Sequence, residues 1–138
     1  MGHARRWMTG AVASLAVCGA LAMAGCGPSQ VQINTSTIPV GHAVRLSANL
    51  TAPDGKTPVK FIIVAHDASG WHAFSSWDPA CYGGLQVQAG MRGDFIKDPC
   101  LGTDWDLAGK LIAGPRRPDL MTLPVEVEGS EAVVQTSR

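Results

Sequence analysis

Short alternations of apolar and polar residues, broken at close intervals by Gly, Pro, Asp or Asn, run through this chain from Val31 to its end. A period of two fits pleated strands, and no segment beyond the N-terminal region sustains the 3.6-residue spacing of an amphipathic helix. The pattern predicts strands at Val31-Gln32-Ile33, Ala43 to Leu50, Trp71 to Phe74, Leu85 to Gln88, Asp94 to Lys97, Lys110 to Ala113, Leu123 to Glu128 and Ala132 to Thr136. Val59 to Ala65 is apolar throughout except for Lys60, as expected of a central strand buried on both faces. Asn34 to Thr37 with Pro39 and Gly41, Pro53-Asp54-Gly55, and Asp67 to Gly70 read as turns. Many short strands with such punctuation predict an all-β sandwich or barrel-like domain, without repeats or a low-complexity linker.

The first 25 residues have a different character. Arg5 and Arg6 precede an apolar run from Met8 to Ala24, which ends in Met23-Ala24-Gly25-Cys26. A positive start, an apolar stretch and small residues before a cut site describe a secretory signal peptide. Cysteine directly after Ala-Gly resembles the bacterial lipobox, which implies a lipid on Cys26 and attachment to the outer face of the cytoplasmic membrane. The competing reading is an uncleaved membrane helix, for which about 17 residues is the short limit. The chain then divides into a signal peptide (1–25), a tether (26–30) and a β domain (31–138). Removing Arg5 and Arg6 leaves nine basic against eleven acidic side chains, a net of −2. So balanced a domain lacks the basic footprint of a nucleic-acid binder.

Cysteine usage follows from the same division. Cys18 leaves with the signal and Cys26 carries lipid, so Cys81 and Cys100 remain. Two thiols in an oxidising compartment predict a disulfide, with two unrelated buried thiols as the alternative. Closing a loop of about 20 residues stabilises by about 3 kcal/mol in the chain-entropy account.

Residues 98–128 begin Asp-Pro-Cys-Leu-Gly-Thr-Asp-Trp-Asp-Leu-Ala-Gly-Lys and continue through Gly114-Pro115 to Leu120 and Pro124. This stretch resembles the second half of a Rieske domain, whose pattern there is Cys-Pro-Cys-His-Gly-Ser, an aromatic with Asp, a Gly-basic strand start and a Gly-Pro loop. Ser76-Trp77-Asp78-Pro79-Ala80-Cys81 falls where that family has Cys-x-His-x-x-Cys. The resemblance covers about residues 30–138 and implies stacked antiparallel sheets with a two-loop tip joined by a disulfide. Under it, Cys81 and Cys100 match the family's loop disulfide, whereas the four ligands of the two-iron, two-sulfur cluster correspond to Ser76, Asp78, Asp98 and Leu101. All four are changed. Cluster iron takes thiolate and imidazole donors, and Leu101 has no donor, so no 2Fe-2S cofactor is expected.

The same residues admit other uses. Cys81, Cys100, His66 and His72 total two thiols and two imidazoles, but their spacing is wrong for a rearranged cluster and the disulfide would be lost. His42, beside Gly41, reads as solvated. Asp78 and Asp98 could hold a hard cation across the vacated site. Both precede proline, however, which favours a structural role in turning the loops. Trp77, Tyr82 and Leu101 would lie near the tip, either as partner contacts or as filling for the space the cluster left, and Trp105 is assigned to packing. Arg116-Arg117 could touch anionic headgroups or a partner, but an adjacent pair reads more simply as a solvated loop face. No catalytic nucleophile set or phosphate loop is present, so enzymatic activity is not expected. The reading is a lipid-anchored, non-redox structural or partner-binding protein. The resemblance suggests a respiratory or other electron-transfer complex as partner. An electron carrier with unusual ligands is the alternative.

Overall fold

A computed structural model describes residues 30–136; the signal segment, Cys26 and most of the tether lie outside the described residues. The chain is all-β; the described residues form eleven strands in three antiparallel sheets. One sheet has the order β1 (Gln30–Asn34), β11 (Glu131–Gln135), β10 (Val125–Glu128). The second runs β2 (His42–Thr51), β3 (Pro58–Asp67), β4 (Gly70–Ser75), β9 (Thr122–Leu123), and the third β5 (Gln86–Gly90), β6 (Gly93–Lys97), β7 (Asp104–Trp105), β8 (Leu111–Ala113).

The β2–β3–β4–β9 sheet is the middle layer, and this explains the uninterrupted apolar run in β3. Because side chains alternate across a strand, Ile63 and Ala65 face one neighbour while Ile62 and Val64 face the other. The first pair joins Ala43, Phe74, Leu85, Ile96, Trp105 and Leu107 in a core against the β5–β8 sheet. The second joins Ile38, Ala73, Leu123 and Val134 in a core against the β1–β11–β10 sheet, with Val44, Leu46, Ala48 and Leu50 packed beside it. Each fully buried Ile, Val, Leu or Phe among these contributes about 1.5–3 kcal/mol of transfer free energy.

Strand limits agree with the alternation to within a residue or two at most positions. The expected strand Leu123 to Glu128 is divided, because Pro124 has no N–H to give to a ladder, and the two pieces join different sheets. The two-residue β7 is too short for any period to mark it. Asn34 to Thr37, read as a turn, closes a single 3-10 turn, with the Asn34 side chain accepting from the Ser36 amide at 2.9 Å.

Two loops project beside each other. Residues 76–85 lead from the middle sheet to β5, and residues 98–103 join β6 to β7. Cys81 and Cys100 form a disulfide between them, with Cα atoms 5.5 Å apart. The other end of the β5–β6 hairpin is tied down as well: Asp94 N donates to the Gly41 carbonyl at 2.8 Å, and Asp94 Oδ2 accepts from Ala43 N at 3.0 Å. Among the described residues, the three sheets and both cores draw on the whole span from β1 to β11.

Candidate functional site at the paired loops

Both loops carry Asp-Pro at or near their start, and the same local logic shapes each. Proline fixes its own φ and has no N–H, so the preceding aspartate reaches past it to the next amide. Asp78 Oδ1 accepts from Ala80 N at 2.9 Å. Asp98 Oδ1 accepts from Cys100 N at 2.7 Å and Leu101 N at 3.1 Å. The structural role expected of these aspartates is what the geometry displays. Their carboxylates are nevertheless completely buried, and burial of an unpaired charge is costly.

The compensating charge is Arg117. Its Nη2 donates to Asp78 Oδ1 at 2.8 Å, its Nη1 to Asp78 Oδ2 at 3.3 Å, and Nη1 also to Asp98 Oδ2. One guanidinium thus bridges the two loops beside the disulfide, a covalent clasp and an ionic one side by side. The expectation of a solvated Arg116-Arg117 face is corrected here: Arg116 is exposed, but the Arg117 side chain is only 20% exposed. Nothing local in Gly-Pro-Arg-Arg-Pro distinguishes the two arginines. The partners of Arg117 lie 39 and 19 residues away and become its neighbours only through the fold.

What delivers Arg117 is the strap of residues 114–120. Gly114, at φ +86°, lies so close to Gly102 and Thr103 that an added Cβ would meet the Gly102 carbonyl oxygen and come within 2.9 Å of Thr103 Cα. Trp105 Nε1 donates to the Pro118 carbonyl at 3.0 Å, and the Arg117 guanidinium lies 5.1 Å from the centre of the Trp105 ring. Asp119 pairs with Lys110 at 3.0 Å and accepts from Leu111 N at 3.1 Å. Trp105, assigned to packing, is buried in the core and also forms the bed for Arg117.

Burial acts to raise the pKa of Asp98. The Leu101 and Cys100 amides, the neighbouring Asp78 and the Arg117 charge outweigh it and hold this carboxyl below the usual carboxylate range. Hydrogen bonding to Asp78 above all, against the effect of burial, keeps Arg117 protonated beyond its already high range.

Of the four positions that the resemblance assigns to cluster ligands, the two aspartates are engaged by Arg117 and the other two offer neither thiolate nor imidazole. Ser76 is buried and held through its backbone, its amide donating to the Phe61 carbonyl and its carbonyl accepting from Leu85 N. Asp78 and Asp98 are bridged by Arg117. Leu101 points half-exposed toward solvent, so it does not fill the space between the loops. These residues do not fit a 2Fe-2S cluster. The Cys81 and Cys100 sulfurs and an Asp98 oxygen lie within 4.8 Å of one another, but the sulfurs are bonded together and offer no thiolate. For a hard cation at Asp78 and Asp98, the guanidinium already holds the same oxygens.

His66 and His72 sit toward the β3–β4 turn and join no such cluster. His66 stacks on Trp71 with ring centres 4.1 Å apart and places Nδ1 2.8 Å from the Ile38 carbonyl oxygen. His72 Nε2 meets Asp67 Oδ1 and Ser69 Oγ, each at 3.0 Å. His42 is exposed, 3.4 Å from Asp94. Of the three residues expected at the tip, Tyr82 is fully exposed and Leu101 half-exposed, on the two loops that the disulfide joins. Trp77 turns instead into a neighbouring groove. Compared with protein-family models and with curated proteins, the chain matches none.

Proposed function

We propose that this chain is a lipid-anchored, extracytoplasmic domain of Rieske-like fold that has exchanged its iron–sulfur site for an ionic brace. In this reading it serves as a non-redox, partner-binding or structural component at the outer face of the cytoplasmic membrane. The resemblance of residues 98–128 to the family suggests a membrane electron-transfer complex as the partner. One observation carries the proposal: Arg117 joins Asp78 to Asp98 at the positions where the family pattern has a Cys and a His ligand. A guanidinium repels iron and cannot ligate it, because it has five N–H donors and no lone pair to give. The exposed pair Tyr82 and Leu101, at the end of two loops locked together, supports a docking role, since aromatic and apolar side chains on a rigid support lose little entropy on binding.

The test is direct. Protein isolated from membranes of cells that assemble iron–sulfur clusters is assayed for iron and acid-labile sulfide and examined by EPR in the reduced state. The proposal expects neither metal nor sulfide in stoichiometric amount. Two irons and two sulfides per chain with a Rieske-type signal would overturn it in favour of an electron carrier with unusual ligands.

A further inference from the structure

The disulfide that joins the two loops is not symmetric. Cys81 is only 5% exposed, whereas Cys100 is exposed. A thiolate arriving from solvent therefore meets one cysteine and not the other, and access decides which sulfur of a disulfide is attacked. Each cysteine is also followed by an exposed apolar side chain, Tyr82 after Cys81 and Leu101 after Cys100. An accessible cysteine bonded to a covered one, flanked by apolar groups free to be buried, is a layout suited to exchange with a partner's thiols.

Breaking the bond would not set the loops free. The Cys81 amide donates to the Asp78 carbonyl at 3.2 Å, and the Cys81 carbonyl accepts from Gly84 N at 2.9 Å. The Cys100 amide donates to Asp98 Oδ1 at 2.7 Å. Arg117 in turn joins Asp78 to Asp98. Both cysteine backbones are thus positioned without help from sulfur, through the same two aspartates. Two thiols held in this way stay adjacent and can close again.

We propose that the Cys81–Cys100 bridge is a thiol–disulfide exchange site, opened through Cys100 by a partner protein that carries a reactive dithiol. One partner thiolate attacks Cys100 Sγ. A mixed disulfide forms there as the Cys81–Cys100 bond breaks, and the electron pair of that bond leaves on Cys81, which takes a proton from water. The partner's second thiolate then attacks its own sulfur in the mixed disulfide and releases Cys100, which is protonated likewise. Two electrons pass from the partner, which becomes a disulfide, to this chain, which becomes a dithiol; the reverse steps restore the bridge. The exchange stands apart from the membrane role proposed above, because the chain passes no electrons onward and is acted upon by the partner.

The first test is reduction of the parent chain by dithiothreitol at a series of urea concentrations below the unfolding transition, read by alkylation and mass spectrometry. Attack on the native state exposes little new surface, so the rate should change less than about twofold across the series. A rate that climbs in step with the unfolded fraction would mean that the bond is reached only by unfolding, and overturns the proposal. The second test reads the site of attack. Cys100 in C81S should form a mixed disulfide with oxidised glutathione at least about tenfold faster than Cys81 in C100S. Equal rates, or a faster Cys81, overturn the assignment. The urea series needs neither variant and stands whether or not they fold.

The third test concerns the brace. The reduced parent should keep its circular dichroism and regain the bridge with oxidised dithiothreitol, while reduced R117M should be cut by protease within residues 76–85 or 98–103. Loss of the dichroism on reduction, or equal cleavage of the two proteins, overturns the part given to Arg117.

Discussion

Arg117 is the residue on which the paired loops depend most. Removing one partner of a buried ionic group strands the others, at about 3–5 kcal/mol. R117M should therefore lower the urea midpoint by that equivalent with an unchanged m-value. Replacing Asp78, Asp98 and Arg117 together by apolar residues of similar volume should recover most of the loss, since no stranded charge remains. Acid provides a second test at this scale. Asp98 titrates lower in the folded chain than the ordinary value of about 3.9. Its contribution to stability is accordingly complete above that value and disappears as pH falls through the depressed one. D98N should cost stability at neutral pH, and the difference from the parent should shrink below pH of about 4, as read by denaturation at a series of pH values. A flat difference across that range would assign the contribution of Asp98 to shape rather than charge. The turn role of both aspartates was legible in the sequence, because Asp-Pro states it locally. Their shared counter-ion was not, since it comes from a loop that a linear reading places in solvent.

At the scale of elements, the alternation of Ala43 to Leu50 and the apolar run of Val59 to Ala65 announced their strands because each pattern is the direct imprint of one or two covered faces. Elements without such an imprint leave no periodic signal. Asp104–Trp105 is held in its sheet by pairing with Ile96 and Lys97 on one side and with Leu111 and Ala113 on the other, and Thr122–Leu123 is cut from its expected continuation by Pro124. The strap of residues 114–120 has no regular structure at all, and its path is set by contact rather than by period. Gly114 decides that path. At φ +86°, with backbone atoms of Gly102 and Thr103 against the missing Cβ, G114A should cost more than about 2 kcal/mol. It should also detach Arg117, visible as a shift of its guanidinium resonances in NMR. G129A provides the comparison. That glycine has φ +60° and open space around it, so the cost should be limited to about 1–2 kcal/mol of backbone strain, without effect on Arg117.

For the molecule as a whole, the central sheet supplies the body, and the third sheet is fastened to it at both ends, through Asp94 to Gly41 and Ala43 at one and through the paired loops at the other. The disulfide spans 19 residues of sequence, and its loss relaxes the unfolded chain by about 3 kcal/mol. A C81A/C100A variant should melt roughly 10–20 °C lower in calorimetry while keeping its β-sheet circular dichroism. A change of only a few degrees would mean that the brace and cores hold the loops without it. Both the all-β class and the bridge were readable in advance, one from a repeated pattern and the other from arithmetic over four cysteines. Stacked antiparallel sheets were implied by the resemblance, but the division of the strands among three sheets was not readable, because which strands share a sheet depends on pairing between segments far apart in the chain.

The position of Arg117 also limits what engineering toward a metal site could achieve. Placing thiols and imidazoles at 76, 78, 98 and 101 would create a donor set on paper, yet a permanent cation would remain lodged between the two loops. Any redesign toward metallation has to begin by evicting that side chain, and with it the strap that carries it.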